Sequence, residues 1–172
     1  MRVISGRYKG RKLIGFDING TRPTMDRVKE SLFGIIQNKI KNSICLDLFS
    51  GSGSLGLEAL SNGASKCYFI DNNKEIIKIL QKNLENIDGC IIINSDYKKY
   101  LKNCEEKFDI IFLDPPYKLN LVNKCIELIL KNDLLNDGGI IVVEYENEKI
   151  DCELELLKSK KYGSKNIKIY QK

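Results

Sequence analysis

Neither histidine nor tryptophan occurs among the 172 residues of the sequence. Without histidine, a Ser-His-Asp or Cys-His catalytic arrangement, a histidine general base and a histidine-ligated zinc are all excluded. The six cysteines are never closer than fourteen residues apart, so there is no C-x-x-C pair to hold structural zinc or an iron–sulfur cluster. We therefore expect no bound metal, and we expect the cysteines to be small buried hydrophobic residues rather than disulfide partners.

Long apolar runs are missing as well. No stretch approaches the roughly 20 apolar residues that a membrane-spanning helix needs. The segment from Met1 to Arg7 lacks the apolar core and cleavage site of a signal peptide. We therefore expect no membrane partner and a cytoplasmic location. The length suits one domain of about 100–200 residues, and abundant Ile, Leu, Val and Phe argue against intrinsic disorder.

The positive charge is concentrated near the beginning of the chain. Residues 1–41 hold ten basic and three acidic side chains, whereas the other 131 residues hold 18 basic and 20 acidic ones. A basic segment on a near-neutral body is typical of proteins that bind a polyanion such as nucleic acid, although a solvated basic surface has the same composition. The basic residues that we predict to contact nucleic acid are Arg2, Arg7, Lys9, Arg11, Lys12, Arg22 and Arg27.

Two patterns of hydrophobic residues follow each other along the chain. Residues 2–18 are typical of a hairpin around Gly6 and Gly10, and a helix with Thr24 as N-cap is predicted to follow and to reach Ile40. From residue 44, strands alternate with helices, which indicates an α/β domain with a parallel sheet and helices on both faces. We predict a basic N-terminal extension, 1–41, packed on a core domain, 42–172.

The core pattern gives approximate boundaries for its elements. We predict strands at 44–48, 66–70, 89–94, 109–113 and 140–143, helices at 55–60, 74–86 and 121–130, a turn at Gly138-Gly139, and a final hairpin of 154–160 and 167–170 around Gly163.

A glycine-rich loop follows the first of these strands. Gly51, Gly53 and Gly56 have the spacing G-x-G-x-x-G and lie between a strand and a helix, where a backbone without Cβ atoms approaches a ligand closely. This motif alone also occurs in simple tight turns. Asp71 ends the second strand, 20 residues beyond Gly51, at the place where a ribose diol is held. Asp47 precedes the loop and suits an amine-bearing ligand, so a nucleoside with an amino-acid tail fits better than a dinucleotide.

The fourth strand ends in the segment Asp114-Pro115-Pro116-Tyr117. The two prolines fix the backbone and remove two N–H donors. A carboxylate beside a rigid carbonyl can accept both protons of an exocyclic amine, and Tyr117 can stack on the base that carries this amine. A proline-stiffened loop without catalytic function is the alternative.

Polar and aromatic residues also follow the third strand. Asp96 is suited to accept a hydrogen bond from an adenine amino group, and Tyr97 to pack on the ring, although a polar turn explains the same residues. The carboxyl ends of parallel strands meet at one edge of the sheet, where ligands bind in α/β folds. The predicted cofactor-binding residues are Thr24, Asp47, Phe49, Ser50, Gly51, Gly53, Asp71, Asn72, Asp96, Tyr97 and Asp114.

These motifs resemble those of the class I S-adenosylmethionine-dependent methyltransferases. The loop of residues 47–53 is similar to their cofactor loop, and residues 114–117 to their amino-methylating motif. Segments 2–13, 21–33, 46–59 and 112–117 further resemble the RsmD family, which methylates N2 of a guanine in 16S ribosomal RNA. The likeness covers nearly the whole chain, including Tyr162–Ser164 and Ile167–Tyr170. Ser50, where alanine is usual, and Asp71-Asn72, where a glutamate-type acid is common, are mild departures.

The resemblance implies a Rossmann-like fold with a seven-stranded, mostly parallel sheet of order 3-2-1-4-5-7-6, and S-adenosyl-L-methionine as cofactor. It implies that Asp114 and the Pro115 carbonyl hold the amine, that Pro116 stiffens the loop, and that Tyr117 compensates for the lost stacking of a base taken out of its helix. Residues 21–27 are then a lid on the cofactor. The implied partner is 16S ribosomal RNA, within the 30S particle or an assembly intermediate, and the protein is expected to be a monomer.

Three other functions remain open from the sequence. A DNA adenine-N6 methyltransferase also uses D-P-P-Y, but it usually needs a target-recognition segment, and only the 41-residue extension is spare. A non-catalytic ribosome-assembly factor that binds RNA is disfavoured because Asp47, Gly51, Gly53, Asp71 and Asp114 are all intact. An NAD-dependent oxidoreductase leaves D-P-P-Y without a role.

Overall fold

The computed structural model describes residues 1–15, 23–116 and 119–172, with side chains from residue 26 onward in the first helix. The elements in chain order are α1 (Pro23–Ile40), β1 (Ile44–Asp47), α2 (Ser54–Ser61), β2 (Lys66–Asp71), α3 (Lys74–Asn83), β3 (Cys90–Asn94), α4 (Tyr97–Asn103), β4 (Phe108–Leu113), α5 (Val122–Lys131), β5 (Leu135–Tyr145), β6 (Glu155–Tyr162) and β7 (Lys165–Gln171).

The seven strands form one sheet with the order β3-β2-β1-β4-β5-β7-β6. The pairs among β1 to β5 are parallel, whereas β7 runs antiparallel to both β5 and β6. The sheet order that the family resemblance implies is therefore confirmed. The carboxyl ends of β1, β2, β3, β4 and β5 share one edge, which is where ligand sites form in such sheets.

Helices cover both faces of the sheet, as the alternating pattern predicts. On one face, α1, α2 and α3 pack over a cluster that includes Leu32, Leu57 and Leu80. On the other face, α4 and α5 contribute Leu101 and Ile126 to a second cluster. Strands buried on both faces need continuous apolar sequences, and β4 supplies one in Ile110–Leu113, every residue of which is at most 1% exposed.

The N-terminal residues form a small hairpin held against α2. Arg2 and Lys12 make an antiparallel bridge, and Val3 and Leu13 are buried in the first cluster. The turn has φ +76° at Gly6, where a Cβ atom placed on the backbone would lie 1.9 Å from the carbonyl oxygen of Ser61. Glycine is therefore required there. The predicted hairpin is present up to residue 15, and its remaining residues, 16–18, lie outside the described ranges.

Several local predictions were wrong. Thr24 is not the N-cap of α1, because the helix already begins at Pro23, and proline favours the first helical position. The predicted turn at Gly138-Gly139 is an irregularity within β5, which begins at Leu135 and shifts register against β4. The residues after β3, for which a polar turn was the alternative interpretation, begin α4, a helix that was not predicted.

The cysteines follow the prediction in part. All six are free, and Cys45, Cys67 and Cys125 are buried. The other three are half-buried, namely Cys90, Cys104 and Cys152. Burial raises the pKa of the Cys45 thiol to about 12, so its reactive thiolate form is suppressed at neutral pH.

Candidate active site

A cleft of about 1050 Å³ opens at the carboxyl edge of the sheet. Its volume is at the upper end of the range for small-molecule sites, 300–1,000 Å³. Its wall includes nine of the residues predicted to bind the cofactor, together with two from the predicted amine-binding segment. The nine are Asp47, Phe49, Ser50, Gly51, Asp71, Asn72, Asp96, Tyr97 and Asp114, and the two are Pro115 and Pro116.

The loop between β1 and α2 forms the floor of the cleft. Ser50 fixes its start, because the backbone N–H donates to the Ile70 carbonyl at 3.0 Å and the hydroxyl donates to the Asp47 carbonyl at 2.7 Å. Gly51 has φ +52° and lines the cleft. A left-handed backbone angle at this point turns the chain into α2 and is natural for glycine.

The two later glycines of the motif serve packing. A Cβ atom at Gly53 would lie 2.8 Å from a Leu80 methyl group, and one at Gly56 would lie 2.4 Å from the Phe69 ring. Both contacts would push α2 away from β2 and α3. Gly53 therefore brings the helix close to the sheet, and its predicted contact with a cofactor stays a prediction.

Asp47 is the most strongly perturbed acid at this edge. Its side chain is buried and accepts a hydrogen bond from the Gly56 N–H at 3.0 Å. Burial raises the pKa of Asp47 to about 8; the Gly56 hydrogen bond lowers this pKa, whereas the charges of Asp114 and Asp71 also raise it. Asp71 and Asp114 therefore create a negative potential in the cleft, which favours a cationic ligand, and Asp47 adds to this potential as pH rises towards 8.

Asp71 is oriented by the backbone on both sides of it. Its Oδ2 accepts the Gly51 N–H at 3.2 Å, and its Oδ1 accepts the Asn73 N–H at 3.0 Å. The carboxylate thus joins the glycine loop to the start of α3. A carboxylate accepts about four hydrogen bonds, so these two contacts leave capacity for the hydroxyl groups of a ribose.

The residues that follow β3 contribute the N-terminus of α4 and one ring of an aromatic pair. Asp96 is the N-cap of α4 and accepts the N–H groups of Lys98 and Lys99 at 2.9 and 3.2 Å. The rings of Phe49 and Tyr97 pack in a tilted arrangement, with centroids 5.5 Å apart and an angle of 45° between their planes. This pair offers an apolar surface to a flat ring at one end of the cleft.

The segment after β4 brings the amine-binding candidates to the same cleft. Asp114 and Pro116 are partly or fully exposed, and Pro115 between them is buried. Tyr117, predicted to stack on the target base, and Arg22, predicted to bind nucleic acid, lie outside the described residues. Of the predicted lid, 21–27, residues 21 and 22 and the side chains of 23–25, Thr24 included, lie outside them as well. For these residues the structure adds nothing to the prediction.

The sequence analysis missed a buried ion pair, Lys29 with Glu58, beside the cleft. Their charged atoms are 3.0 Å apart, and Lys29 lines the cleft. Lysine and glutamate on amphipathic helices are normally solvated, and the two positions are 29 residues apart. No feature of the sequence therefore indicates this pair.

A second missed pair is Glu144 with Lys165. Glu144 is near the end of β5 and forms an ion pair with Lys165, the first residue of β7. Both line the cleft with Asp114. One signal was available in the sequence: Glu144 follows an apolar strand core just as Asp114 does, and polar residues at the carboxyl ends of strands are ligand candidates.

The basic residues of the extension surround a second groove of about 740 Å³. Arg2, Lys9, Lys12 and Arg27 line it, and Met1 and Asp26 line both this groove and the main cleft. The other two predicted contacts with nucleic acid lie elsewhere. Arg7 is exposed opposite Asp88, whereas Arg11 donates to the carbonyls of Asn83 and Glu85 and so anchors the hairpin to α3.

Two features are absent from the residues that the structure describes. Among them no helix is long and apolar enough to cross a membrane. No group of three or more Cys, Asp or Glu side chains in these ranges is arranged to hold a metal ion. Both results leave the expected location and the expected absence of metal as predictions.

Comparison with known proteins places this geometry in a family. Residues 1–171 match the family described as "Conserved hypothetical protein 95". The chain is 40% identical over 180 residues to "Ribosomal RNA small subunit methyltransferase D" of Haemophilus influenzae, with 99% of this chain and 93% of the relative covered. It is 35% identical over 178 residues to the Escherichia coli K12 protein of the same name, with 100% and 90% covered.

A solved structure agrees with this relationship. "Putative methyltransferase yhhF from Escherichia coli" superimposes with a TM-score of 0.89 at 33% identity, covering 100% of this chain and 97% of that one. Since the family match and these relatives extend over essentially all of the sequence, the chain belongs to the RsmD family and has the class I methyltransferase fold.

Proposed function

We propose that this protein methylates the exocyclic N2 amine of a guanine in 16S ribosomal RNA, with S-adenosylmethionine as methyl donor. The observation that carries the proposal is the convergence of Asp47, Asp71 and Asp114 with the glycine loop in one cleft. Its relatives named for methylation of small-subunit ribosomal RNA support the substrate.

The cleft fits S-adenosylmethionine by its charge and shape. The carboxylates of Asp71 and Asp114, joined by that of Asp47 as it ionises, suit a ligand with a sulfonium and an ammonium group, and they would repel a pyrophosphate. Asp71 is suited to the ribose hydroxyls, Gly51 lets the backbone approach the ligand, and Phe49 with Tyr97 offers a surface for the adenine ring. Asp96 and Asn72 border the same end. When bound, the cofactor would supply an electrophilic methyl group to the amine nitrogen: the bond from sulfur to the methyl carbon breaks, S-adenosylhomocysteine leaves with the electron pair, and the nitrogen releases a proton to water.

Asp114 and Pro115 are proposed to hold the target amine. The lone pair of guanine N2 is delocalised into the ring, which makes it a poor nucleophile. Hydrogen bonds from its two protons to the Asp114 carboxylate and the Pro115 carbonyl localise this lone pair on nitrogen. Asp114 needs no raised basicity, because the nitrogen loses its proton readily once methylated. Positioning supplies the rest of the acceleration, which for well-oriented groups is about 7–11 kcal/mol.

The RNA is proposed to follow the basic groove into the cleft. Lys9, Lys12 and Arg27 are exposed, which suits contacts with phosphates, and these contacts position a backbone without reading its sequence. The groove and cleft share Met1 and Asp26, so a strand in the groove can place a flipped base at Asp114. Tyr117 is proposed to stack on that base.

Transfer of a radiolabelled methyl group from S-adenosylmethionine tests the proposal. Unmodified 30S particles, free 16S RNA and duplex DNA are compared, and the labelled nucleotide is mapped. Label on N2 of one 16S guanine is the expected result, with 30S particles or an assembly intermediate as the favoured substrate. Label on adenine in DNA alone would replace the proposal with the adenine-N6 function. Bound cofactor without any label would indicate a non-catalytic assembly factor.

A further inference from the structure

Guanine and adenine differ in the atoms that lie beside their exocyclic amines. Next to its N2 amine, guanine presents an N1–H donor and then an O6 acceptor. On the same Watson–Crick edge, adenine presents an N1 acceptor next to its N6 amine and then a C2–H group, which neither donates nor accepts as N1–H and O6 do. A site that selects guanine therefore needs an acceptor for the amine, a second acceptor for N1–H and a donor for O6.

The cleft contains these three groups side by side. Leu113 of β4 pairs with Val143 of β5 in parallel register, so Asp114 and Glu144 are the next residues on neighbouring strands. Such strands are about 4.8 Å apart. Lys165 of β7 forms an ion pair with Glu144, and all three residues line the cleft. From β4 across β5 to β7, Asp114 provides an acceptor, Glu144 a second acceptor and Lys165 a donor.

The Glu144 and Lys165 side chains are accessible but restrained. Their exposed fractions are 15% and 30%. Burial lowers the pKa of Lys165, but the carboxylates of Glu144 and Asp114 outweigh it and raise the pKa overall, so the lysine is charged. A carboxylate accepts about four hydrogen bonds and an ammonium donates three, so groups of this kind can hold an ion pair and contact a base at the same time.

We propose that Glu144 accepts N1–H and Lys165 donates to O6 of the target guanine, which makes this pair specificity-determining beside Asp114. The inference rests on the proposed function. It also explains the choice between two bases that D-P-P-Y alone leaves open, because the carboxylate of Glu144 would face the N1 lone pair of adenine. A carboxylate that faces this lone pair, and an ammonium group that finds no O6, both oppose binding of the wrong base.

The test uses the full-length protein and RNA with either guanine or 2-aminopurine at the target position. 2-Aminopurine keeps the amine, but its N1 is an acceptor and it has no O6. We expect the wild-type kcat/KM to favour guanine by roughly 5- to 100-fold, the discrimination typical of a paired base contact. Glu144→Gln should reduce this ratio, because an amide can donate to N1. Lys165→Met should reduce it by lowering the rate on guanine alone.

Glu146→Gln is the matched control. Glu146 lies just beyond β5, accepts a hydrogen bond from Ser164 and also acts on the charge of Lys165. Glu146→Gln should leave the ratio of kcat/KM for guanine to kcat/KM for 2-aminopurine unchanged. A purely structural Glu144–Lys165 pair would instead lower kcat/KM equally on both bases, and an unchanged ratio in Glu144→Gln and Lys165→Met overturns the inference. Failure of the wild-type protein to methylate guanine at all would overturn the proposed function itself.

Discussion

Lys29 Nζ lies 3.0 Å from Glu58 Oε2, and the two side chains are only 6% and 0% exposed. Glu58 also accepts the backbone N–H groups of Ile4 and Ser5 at 2.9 and 2.8 Å. Lys29 donates to the Arg2 carbonyl at 2.6 Å and to the Ser54 hydroxyl at 3.0 Å, where α2 begins. The pair therefore joins the basic hairpin, α1 and the helix that follows the glycine loop.

Removing one partner of this pair should destabilise the protein strongly. Lys29→Met leaves the Glu58 carboxylate buried without its cation, and such changes cost about 3–5 kcal/mol. Lys29→Met with Glu58→Gln removes both charges but keeps an acceptor for Ile4 and Ser5, so it should recover part of the loss. Urea unfolding of the three proteins measures this. Equal stability of the wild type and Lys29→Met would show that the pair does not contribute to the free energy of unfolding.

The sequence predicts the strands and their carboxyl-edge site well, because each strand is a short apolar run and polar residues follow it directly. It does not show α4, because the seven-residue helix is short and its N-cap, Asp96, also suits a turn. It does not show the pairs Lys29–Glu58 and Glu144–Lys165, because each joins residues that only the folded chain brings together. The hydrophobic pattern of a sequence indicates local periodicity, whereas these two ion pairs depend on tertiary packing.

Asp114 should be required for transfer and nearly dispensable for cofactor binding. Asp114→Ala removes an acceptor of the amine, so methyl transfer is expected to be abolished, while the dissociation constant for S-adenosylmethionine changes little. Asp114→Asn is the matched variant, since it keeps the shape but offers an amide N–H where an acceptor is needed. Single-turnover transfer and calorimetric binding separate the two effects. Near-normal turnover of either variant would contradict the assigned role.

Gly51 should be required for cofactor binding. Its φ of +52° and its place in the cleft wall leave no room for a branched side chain without strain and obstruction. We expect Gly51→Val to lose measurable binding of S-adenosylmethionine while the protein remains folded. Calorimetry, with circular dichroism to check the fold, gives the answer, and unchanged affinity would contradict the loop assignment. Gly34→Ala serves as the comparison, because no atom lies within 4 Å of a Cβ placed there and Gly34 lies in α1, outside the cleft wall.

The basic groove should account for the salt dependence of RNA binding. Lys9→Ala and Lys12→Ala each remove one exposed cation from it. Each variant should weaken RNA binding similarly for all sequences and reduce the slope of log affinity against log salt by about 0.7–0.9. Lys131→Ala is the control, since Lys131 is exposed at the end of α5, away from the groove. Equal slopes for Lys9→Ala, Lys12→Ala and Lys131→Ala would place the RNA elsewhere.

Asp47 should make folding stability fall as pH rises. Burial raises its pKa to about 8 in the folded protein, whereas an unfolded aspartate has a pKa of about 3.9. Between these values the folded state holds a proton that the unfolded state has lost. The contribution of Asp47 to the free energy of unfolding is therefore complete below about pH 4. It is lost as pH rises through about 8, by at most about 1.4 kcal/mol per pH unit. Urea unfolding from pH 5 to 9 measures the slope.

Asp47→Asn should flatten this dependence, because an amide of the same shape does not titrate. Asp137→Asn, at a side chain that is 99% exposed, is the matched control and should keep the wild-type slope. The same ionisation should act on ligand binding, since an ionised Asp47 attracts a cationic ligand more strongly. The affinity for S-adenosylmethionine is therefore expected to rise towards pH 8 in the wild type and to rise less in Asp47→Asn. Parallel curves for these two proteins, in both stability and affinity, would show that Asp47 is already ionised at neutral pH.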